Sequence, residues 1–161
     1  MLFRSPRLSP QVLDGPVCIG GLTFTPVPVK HGILDILGWE VGENVFPPEN
    51  GNRFLYLTDT SAIPPSSLER LQSSNGTGRR VIIIGGLRVR PHETHFTFQE
   101  ALNAAIGLGA KEVYLTHLTH EHSHAEIEAF CRQFMESQRD SGGSLGEVVI
   151  HPAWDGLEIR L

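Results

Sequence analysis

Apolar positions along the chain change their period several times, and these changes predict the order of the strands. Apolar residues alternate with Thr or Pro over 22–29, which is the pattern of a strand at a sheet edge. Residues 81–84 form an unbroken β-branched run before two glycines, which is typical of a strand buried on both faces. Strands are predicted at 22–29, 39–42, 53–58, 81–84, 111–116, 147–150 and 157–159.

Three stretches between these strands carry the signals of helices. Pro65 stands where a helix can begin, and Leu68 and Leu71 give that helix one apolar side. Capping-box sequences begin at Thr97 and at Ser123, each with Glu three residues later. Behind the second box, four apolar residues recur at helical spacing: Ile127, Phe130, Cys131 and Phe134. Strands that alternate with helices favour a layered α/β fold with a mixed sheet and three helices.

The composition of the chain excludes several classes of protein but does not itself indicate a function. The 161 residues are 40% hydrophobic and 19% charged, which suits one globular domain with its own core. A net charge of -5 gives no strong signal for nucleic acid, and no apolar run is long enough for a membrane span. The start of the chain lacks the pattern of a secretory signal, and two cysteines make no disulfide framework. The expected location is therefore the cytoplasm.

The domain boundaries follow from the same pattern. Residues 1–15 carry Pro and Ser but little periodicity, and we predict a poorly ordered lead-in there. The domain proper is predicted over 16–161, with polar, turn-rich loops near 43–52, 73–78 and 140–144.

Histidine is concentrated where one strand is predicted to end and the next helix to begin. The stretch 114–124 holds four of the eight histidines. Imidazole is a common metal ligand, and it titrates close to physiological pH. The four are His117, His120, His122 and His124.

Candidate ligands follow three predicted strands at the same structural position. Asp59, His95 and His117 each come after the carboxyl end of a strand and before a helix. If these strands are neighbours, the side chains gather at one edge, where open α/β sheets bind ligands. His31, just past another strand, can join them. Imidazoles with a carboxylate suit zinc, manganese or iron(II).

Ordinary structural roles exist for each of these residues taken singly. Asp59 suits an Asx turn or a helix start, and His31 suits a solvated loop. His92 and His95 suit a turn beside a proline. Only the coincidence of three strand ends favours a metal site.

Five motifs, in order along nearly the whole chain, resemble those of metallo-β-lactamase-fold hydrolases, and most closely the phosphoribosyl cyclic phosphodiesterase branch. The motifs are the segments 26–32, 55–60, 87–96, 115–120 and 153–159. The resemblance implies that His31 and His117 bind metal and that Asp59 bridges two ions. It also implies that His95 contacts the scissile phosphate as a general acid, with His120 in support.

One departure from that family is large. The signature His-x-His-x-Asp-His is absent, since no histidine precedes residue 31. The family fold is a four-layer αββα sandwich, and the resemblance implies that this chain corresponds to its C-terminal half. The inner sheet would then expose an apolar face, on which Leu22, Phe24 and Val27 are expected.

These expectations lead to two readings of function, beside a third and weaker one in which the chain is a plain α/β domain whose histidines are incidental. In the first, the chain belongs to a Zn²⁺- or Mn²⁺-dependent hydrolase of small phosphodiesters or cyclic phosphates, inactive alone and holding at most one weakly bound ion. In the second, it is a non-catalytic module that pairs with a partner. The expected partner is an N-terminal half or a second copy of the chain.

Overall fold

The computed structural model describes residues 9–10, 12–13, 15–43, 51–74, 78–140 and 148–160. Much of the predicted lead-in and parts of the three predicted loops lie outside the described residues. The strands are Val17–Ile19 (β1), Leu22–His31 (β2), Leu34–Glu43 (β3), Arg53–Leu57 (β4), Arg80–Gly85 (β5), Glu112–Thr116 (β6) and Val149–Pro152 (β7). The helices are Pro65–Ser73 (α1), Phe98–Gly107 (α2) and His124–Asp140 (α3).

The seven strands form one sheet in chain order, β1 to β7. Neighbours from β1 to β4 run antiparallel, whereas β4 to β7 run parallel because each connection after β4 contains a helix. The prediction of an α/β fold with a mixed sheet and three helices is confirmed.

The helix starts follow the predicted capping chemistry. The Thr97 hydroxyl accepts from the Glu100 amide, and the Glu100 carboxylate accepts from the Thr97 amide. Ser123 and Glu126 make the same reciprocal pair before α3. Both capping boxes therefore satisfy amide groups that a helix start would otherwise leave unpaired.

One face of the sheet carries the hydrophobic core. Leu55, Ile82, Val113 and Ile150 lie side by side on four neighbouring strands, and all are fully or almost fully buried. All three helices contribute to the same cluster, with Leu71 from α1, for example. The helices thus cover this face of the sheet.

The opposite face of the sheet, called the outer face below, is also apolar. Among the described residues, no helix contributes a side chain to a hydrophobic core on this face. Its side chains lie in registered rows such as Trp39, Tyr56, Ile83 and Tyr114. The outer face includes Val17, Ile19, Leu22, Phe24, Trp39, Val41, Phe54, Tyr56, Val81, Ile83 and Tyr114, so that Leu22 and Phe24 lie on it as expected.

Several details differ from the sequence-based expectations. The segment 157–159 is not a strand, since the chain after the Trp154–Gly156 turn makes no ladder there. The short β1 was not predicted, and β3 is ten residues long rather than four. Val27 was wrongly expected on the exposed face, because its position in β2 directs it into the helix-covered core.

A buried ion network joins the sheet to two helices at the end of the strands opposite the candidate ligands. Glu40 is 5% exposed, and its carboxylate contacts Arg53 at 3.3 Å and Arg70 at 3.1 Å. The buried Arg80 guanidinium donates to the carbonyls of Leu71 and Leu108, at the last turns of α1 and α2. Burial lowers the pKa of Arg80, and Glu40 partly offsets that effect. The network places a cation at two helix C-termini, where it is favourable.

The two cysteines are expected to react very differently with a thiol reagent. Cys18 is exposed, whereas Cys131 is buried in the core and burial raises its pKa to about 11. At pH 8 the Cys131 thiol is therefore protonated and inaccessible. A colorimetric disulfide reagent should titrate one thiol quickly in the native chain and both after unfolding. Loss of the rapid phase in Cys18→Ser is the control, and two rapidly reacting native thiols would contradict this packing.

No helix within the described ranges is long and apolar enough to cross a membrane.

Candidate metal centre

The candidate ligands meet at the carboxyl edge of the parallel strands. Asp59 follows β4, His95 lies in the loop after β5, and His117 follows β6. Because β4, β5 and β6 are adjacent and parallel, their carboxyl ends lie side by side. His31 reaches the same edge as the last residue of β2.

Three of these side chains form a tight triangle of ligand atoms. His117 Nε2 lies 3.1 Å from Asp59 Oδ1 and 3.2 Å from His95 Nε2. The third edge, His95 Nε2 to Asp59 Oδ1, is 3.7 Å. In the described part of the chain, these three residues form the single cluster of three or more His, Cys, Asp or Glu side chains that could hold a metal ion.

Two of the three residues have an unusual backbone. Asp59 and His117, with φ of 52° and 57°, are the non-glycine residues with positive φ in the described ranges. Such a conformation is costly for a residue with a Cβ, and it persists only where the surrounding structure holds it. Gly85 lies between them, since a Cβ there would be 3.3 Å from the Asp59 nitrogen and 3.7 Å from the His117 Cβ.

Backbone hydrogen bonds join the three loops that carry the triangle. The Phe96 amide donates to the Thr60 carbonyl at 2.7 Å, which ties the His95 loop to the Asp59 loop. The Thr119 amide donates to the Leu87 carbonyl at 3.0 Å, which ties the His117 loop to the same loop. The ligand atoms are thus positioned by the backbone as well as by side chains.

Glu121 adds an electrostatic link between the same two loops. Its carboxylate accepts from Arg88 at 3.2 Å and from Arg90 at 2.9 Å. The hydrogen bond from Arg90 is the main cause that lowers the pKa of Glu121. Since both arginines belong to the His95 loop and Glu121 follows His117, the contact holds the two loops together.

The surroundings of His95 favour a neutral ring whose Nε2 faces the other ligands. Its side chain is 14% exposed, and its Nδ1 lies 2.8 Å from the Thr94 hydroxyl. Burial is the largest cause that lowers the pKa of His95, followed by the neighbouring His117. A neutral imidazole held by a partner at its second nitrogen is the form that ligates metals.

The other histidines divide into those near the triangle and those away from it. The ring of His31 meets that of His95 edge-on, with centroids 4.7 Å apart, and His92 Nδ1 lies 3.2 Å from His95 Nδ1. His120 is exposed, and no contact joins it to the triangle among the described residues. His122 and His124 contact Phe98 and Trp154 instead, and His151 stacks on Tyr114.

The triangle fits a divalent metal ion. A point equidistant from the three ligand atoms lies about 2 Å from each, which matches zinc bonds of ~2.0–2.2 Å to imidazole and carboxylate. Three protein ligands with an open position are typical of catalytic zinc, and manganese accepts the same donors. The roles implied by the family resemblance, with His31 as a ligand and His95 as an acid, stay a prediction.

Comparison with known proteins identifies the family. Residues 4–118 match the sequence model of the Beta-lactamase superfamily domain. The chain belongs to the β-lactamase superfamily. A solved diphosphatase from the PhnP family is 30% identical, with a TM-score of 0.66 over 93% of this chain and 47% of that one. The human tRNase Z, short form, is 16% identical, with a TM-score of 0.58 over 89% of this chain and 45% of that one, and shows the fold alone.

A curated relative is a much longer protein than this chain. The octanoyltransferase of Porphyromonas gingivalis is 31% identical over 146 residues, which are 90% of this chain and 24% of that protein. The chain thus spans about half the length of the two solved relatives and about a quarter of this one. The two solved relatives share the fold of this chain, in agreement with the resemblance of its sequence motifs to those of metallo-β-lactamase-fold hydrolases.

Sequence reasoning missed several residues that shape the centre. It found Asp59, His95 and His117 from their positions after strands, but it did not find the contacts of Thr94 and Glu121. Capping and turn patterns carry no signal for the Glu121 contacts, because these join residues 33 and 31 positions apart in the chain. The Thr94 contact is with the next residue, but it depends on the conformation of the His95 loop, which these patterns do not give.

Gly85→Ala is expected to weaken metal binding at least about tenfold, which equals ~1.4 kcal/mol. The added Cβ would press on the Asp59 backbone, which already has a positive φ and has little room to shift. Gly107→Ala is the matched control, since a Cβ there meets nothing within 4 Å. Isothermal titration with Zn²⁺ measures both, and equal affinities would show that this close approach does not position Asp59.

Proposed function

We propose that this chain is the metal-binding part of a phosphodiester hydrolase, with one Zn²⁺ or Mn²⁺ ion held by Asp59, His95 and His117. The observation that carries the proposal is the triangle of three ligand atoms at the carboxyl edge of the parallel strands. The distances between the three ligand atoms leave room for one ion, and zinc and manganese both accept imidazole nitrogen and carboxylate oxygen as ligands.

A bound divalent ion supplies Lewis acidity towards a phosphoryl oxygen and lowers the pKa of water. The chain contributes the arrangement around it. Thr94 orients His95 through Nδ1, and Glu121 holds the His95 loop against the His117 loop. His31 lies beside His95 and can contact a substrate oxygen from the same edge.

Small phosphodiesters or cyclic phosphates are the proposed substrates. The PhnP-family diphosphatase, 30% identical, supports a phosphorus substrate. Cationic side chains stand on the His95 loop, and Arg90 remains 72% exposed despite its contact with Glu121. A cation beside the metal centre favours an anionic substrate.

We further propose that the chain hydrolyses poorly by itself. The His-x-His-x-Asp-His signature is not present in these residues, and one three-ligand group lacks the donors for a second ion. The same observation favours the second candidate function, in which the chain is a binding module rather than an enzyme.

Complementation in trans separates the two functions. The N-terminal half of a relative that carries the missing signature is mixed with this chain, and hydrolysis of bis(p-nitrophenyl) phosphate is measured with Mn²⁺ or Zn²⁺. The mixture should hydrolyse the ester, whereas each part alone and a mixture containing His117→Ala should not. Binding of the two parts without hydrolysis would support the binding module and contradict the enzyme.

The same mixture decides the roles of two histidines. If His95 is a ligand, His95→Ala lowers the metal content and His31→Ala lowers turnover while the ion stays bound. The opposite result would restore the roles that the family resemblance implies.

A further inference from the structure

A small cavity lies between the amino ends of the parallel strands and the last turns of α1 and α2. Its volume is about 240 Å³, below the roughly 300–1,000 Å³ of sites for drug-sized ligands, so it suits a small ligand. Arg53 begins β4, Arg80 begins β5 and Lys111 precedes β6, and all three line the cavity because these strands are adjacent and parallel. Arg79 is the fourth cation, and no carboxylate lines the cavity among the described residues.

One of these cations is built into the fold. Arg80 is 4% exposed, and its Nη1 donates to two carbonyls at the helix ends. Its Nη2 donates to the Ser74 hydroxyl at 3.2 Å, so hydrogen bonds hold the guanidinium plane in place. Burial is the largest cause that lowers the pKa of Arg80, Glu40 raises it, and Arg53 lowers it. The two guanidinium groups therefore repel each other, and an anion bound beside them would offset that repulsion.

The carboxylates that contact this group of cations are fewer than the cations. Glu40 is shared by two arginines, at 3.1 and 3.3 Å, and Glu112 pairs with Arg79. Lys111 is exposed, and within the described ranges its ammonium group makes no ion pair or hydrogen bond. With Arg70 included, five cationic side chains share these two carboxylates.

Two further acids at this end of the sheet do not line the cavity. Glu43 lies in a hollow of the outer face beside Phe54. Glu158 lies in a hollow on the far side of Arg79 together with Arg160, which offsets its charge. The cavity is therefore positive although the net charge of the chain is -5.

We propose that this cavity binds a small phosphate dianion, either inorganic phosphate or the phosphoryl end of a small ester. Guanidinium groups match phosphate oxygens with paired N–H donors, and a dianion interacts with several cations more strongly than a carboxylate does. The site is separate from the metal centre. β5 runs from Arg80 at the cavity to Gly85 beside Asp59, and that length of strand spans roughly 17 Å.

Isothermal titration of the full chain with inorganic phosphate, in metal-free buffer of low ionic strength, tests the proposal. We expect a dissociation constant of about 1 mM or lower, and acetate should bind at least about tenfold more weakly. Lys111→Ala should weaken phosphate binding at least about tenfold, because it removes a cation that no carboxylate offsets. Arg132→Ala, which removes a cation on the solvent side of α3, is the matched control and should bind phosphate within about twofold of the wild type. Equal affinities of the two variants, or of phosphate and acetate, would overturn the proposal.

Amide chemical-shift mapping of the wild-type chain locates the anion independently of any variant. Phosphate should shift the amides of Ser74, Gly109 and Lys111 and leave those of the His95 loop unchanged. Glycerol phosphate that shifts the same amides identifies an ester as a ligand, whereas shifts with inorganic phosphate alone identify the free anion. Shifts confined to the His95 loop, or small shifts spread over the whole surface, would overturn the proposal. Neither measurement uses metal or hydrolysis, so failure here is distinct from failure of the proposed function.

Discussion

Asp59→Ala should lower the affinity for Zn²⁺ by about a hundredfold or more. Loss of a residue that only hydrogen-bonds to a metal ligand already lowers metal affinity about 10–100-fold, and Asp59 is itself a ligand in the proposed centre. The substitution removes the one carboxylate of the triangle, whose oxygen lies 3.1 Å from His117 Nε2. It leaves two imidazoles and no negative charge to offset the ion. His117→Ala should have an effect of similar size, because it removes the atom closest to both of the others.

Isothermal titration or competition with a chelating dye measures these affinities. Asp155→Ala, in an exposed turn, is the control for loss of a carboxylate elsewhere. Circular dichroism of each variant shows that the fold is kept. Affinities within twofold of the wild type for both Asp59→Ala and His117→Ala would contradict a metal centre formed by these residues.

Glu40→Ala should destabilise the native chain by about 3–5 kcal/mol, the usual effect of removing one partner of a buried ion pair. The carboxylate contacts Arg53 and Arg70 and lies close enough to raise the pKa of the buried Arg80. Without it, the buried Arg80 and the partly exposed Arg53 and Arg70 lose the negative charge that compensates them.

Urea unfolding followed by circular dichroism measures this change. Glu128→Ala is the matched control, because Glu128 pairs with Arg132 on the solvent side of α3 and such pairs contribute about 0.5 kcal/mol or less. A loss below about 1 kcal/mol for Glu40→Ala would mean that the network contributes little to stability.

The local signals in the sequence were sufficient for most of the fold. Proline at the start of α1 and the capping boxes at Thr97 and Ser123 act within a few residues, so they can be recognised without a structure. The unbroken β-branched run of β5 predicted a buried strand, and five of its six residues are buried, whereas Ile83 on the outer face is partly exposed. Such features depend on neighbours in the chain.

The errors come from contacts that are distant in the chain. β1 has three residues and exists because it pairs with Leu22–Phe24, which no local pattern reveals. The segment 157–159 has the alternation of a strand but no pairing partner, and alternation alone does not make a ladder. Val27 was placed on the wrong face because a strand with prolines at 26 and 28 gives an ambiguous apolar pattern.

The candidate centre could be predicted in outline but not in detail. Positions after parallel strands predicted that Asp59, His95 and His117 would meet, and the structure brings them together. The positive φ of Asp59 and His117 and the close approach of Gly85 follow from the packing of three loops. That packing also decides that His95, rather than His31, completes the triangle.

Metal bound per chain is the most direct measurement of the central claim. The purified 161-residue chain is dialysed against Zn²⁺ and then against metal-free buffer, beside His117→Ala, and both are measured by elemental analysis. We predict close to one ion per wild-type chain and almost none in the variant. Absence of metal from the wild-type chain, or equal metal in both, would contradict a centre formed by Asp59, His95 and His117.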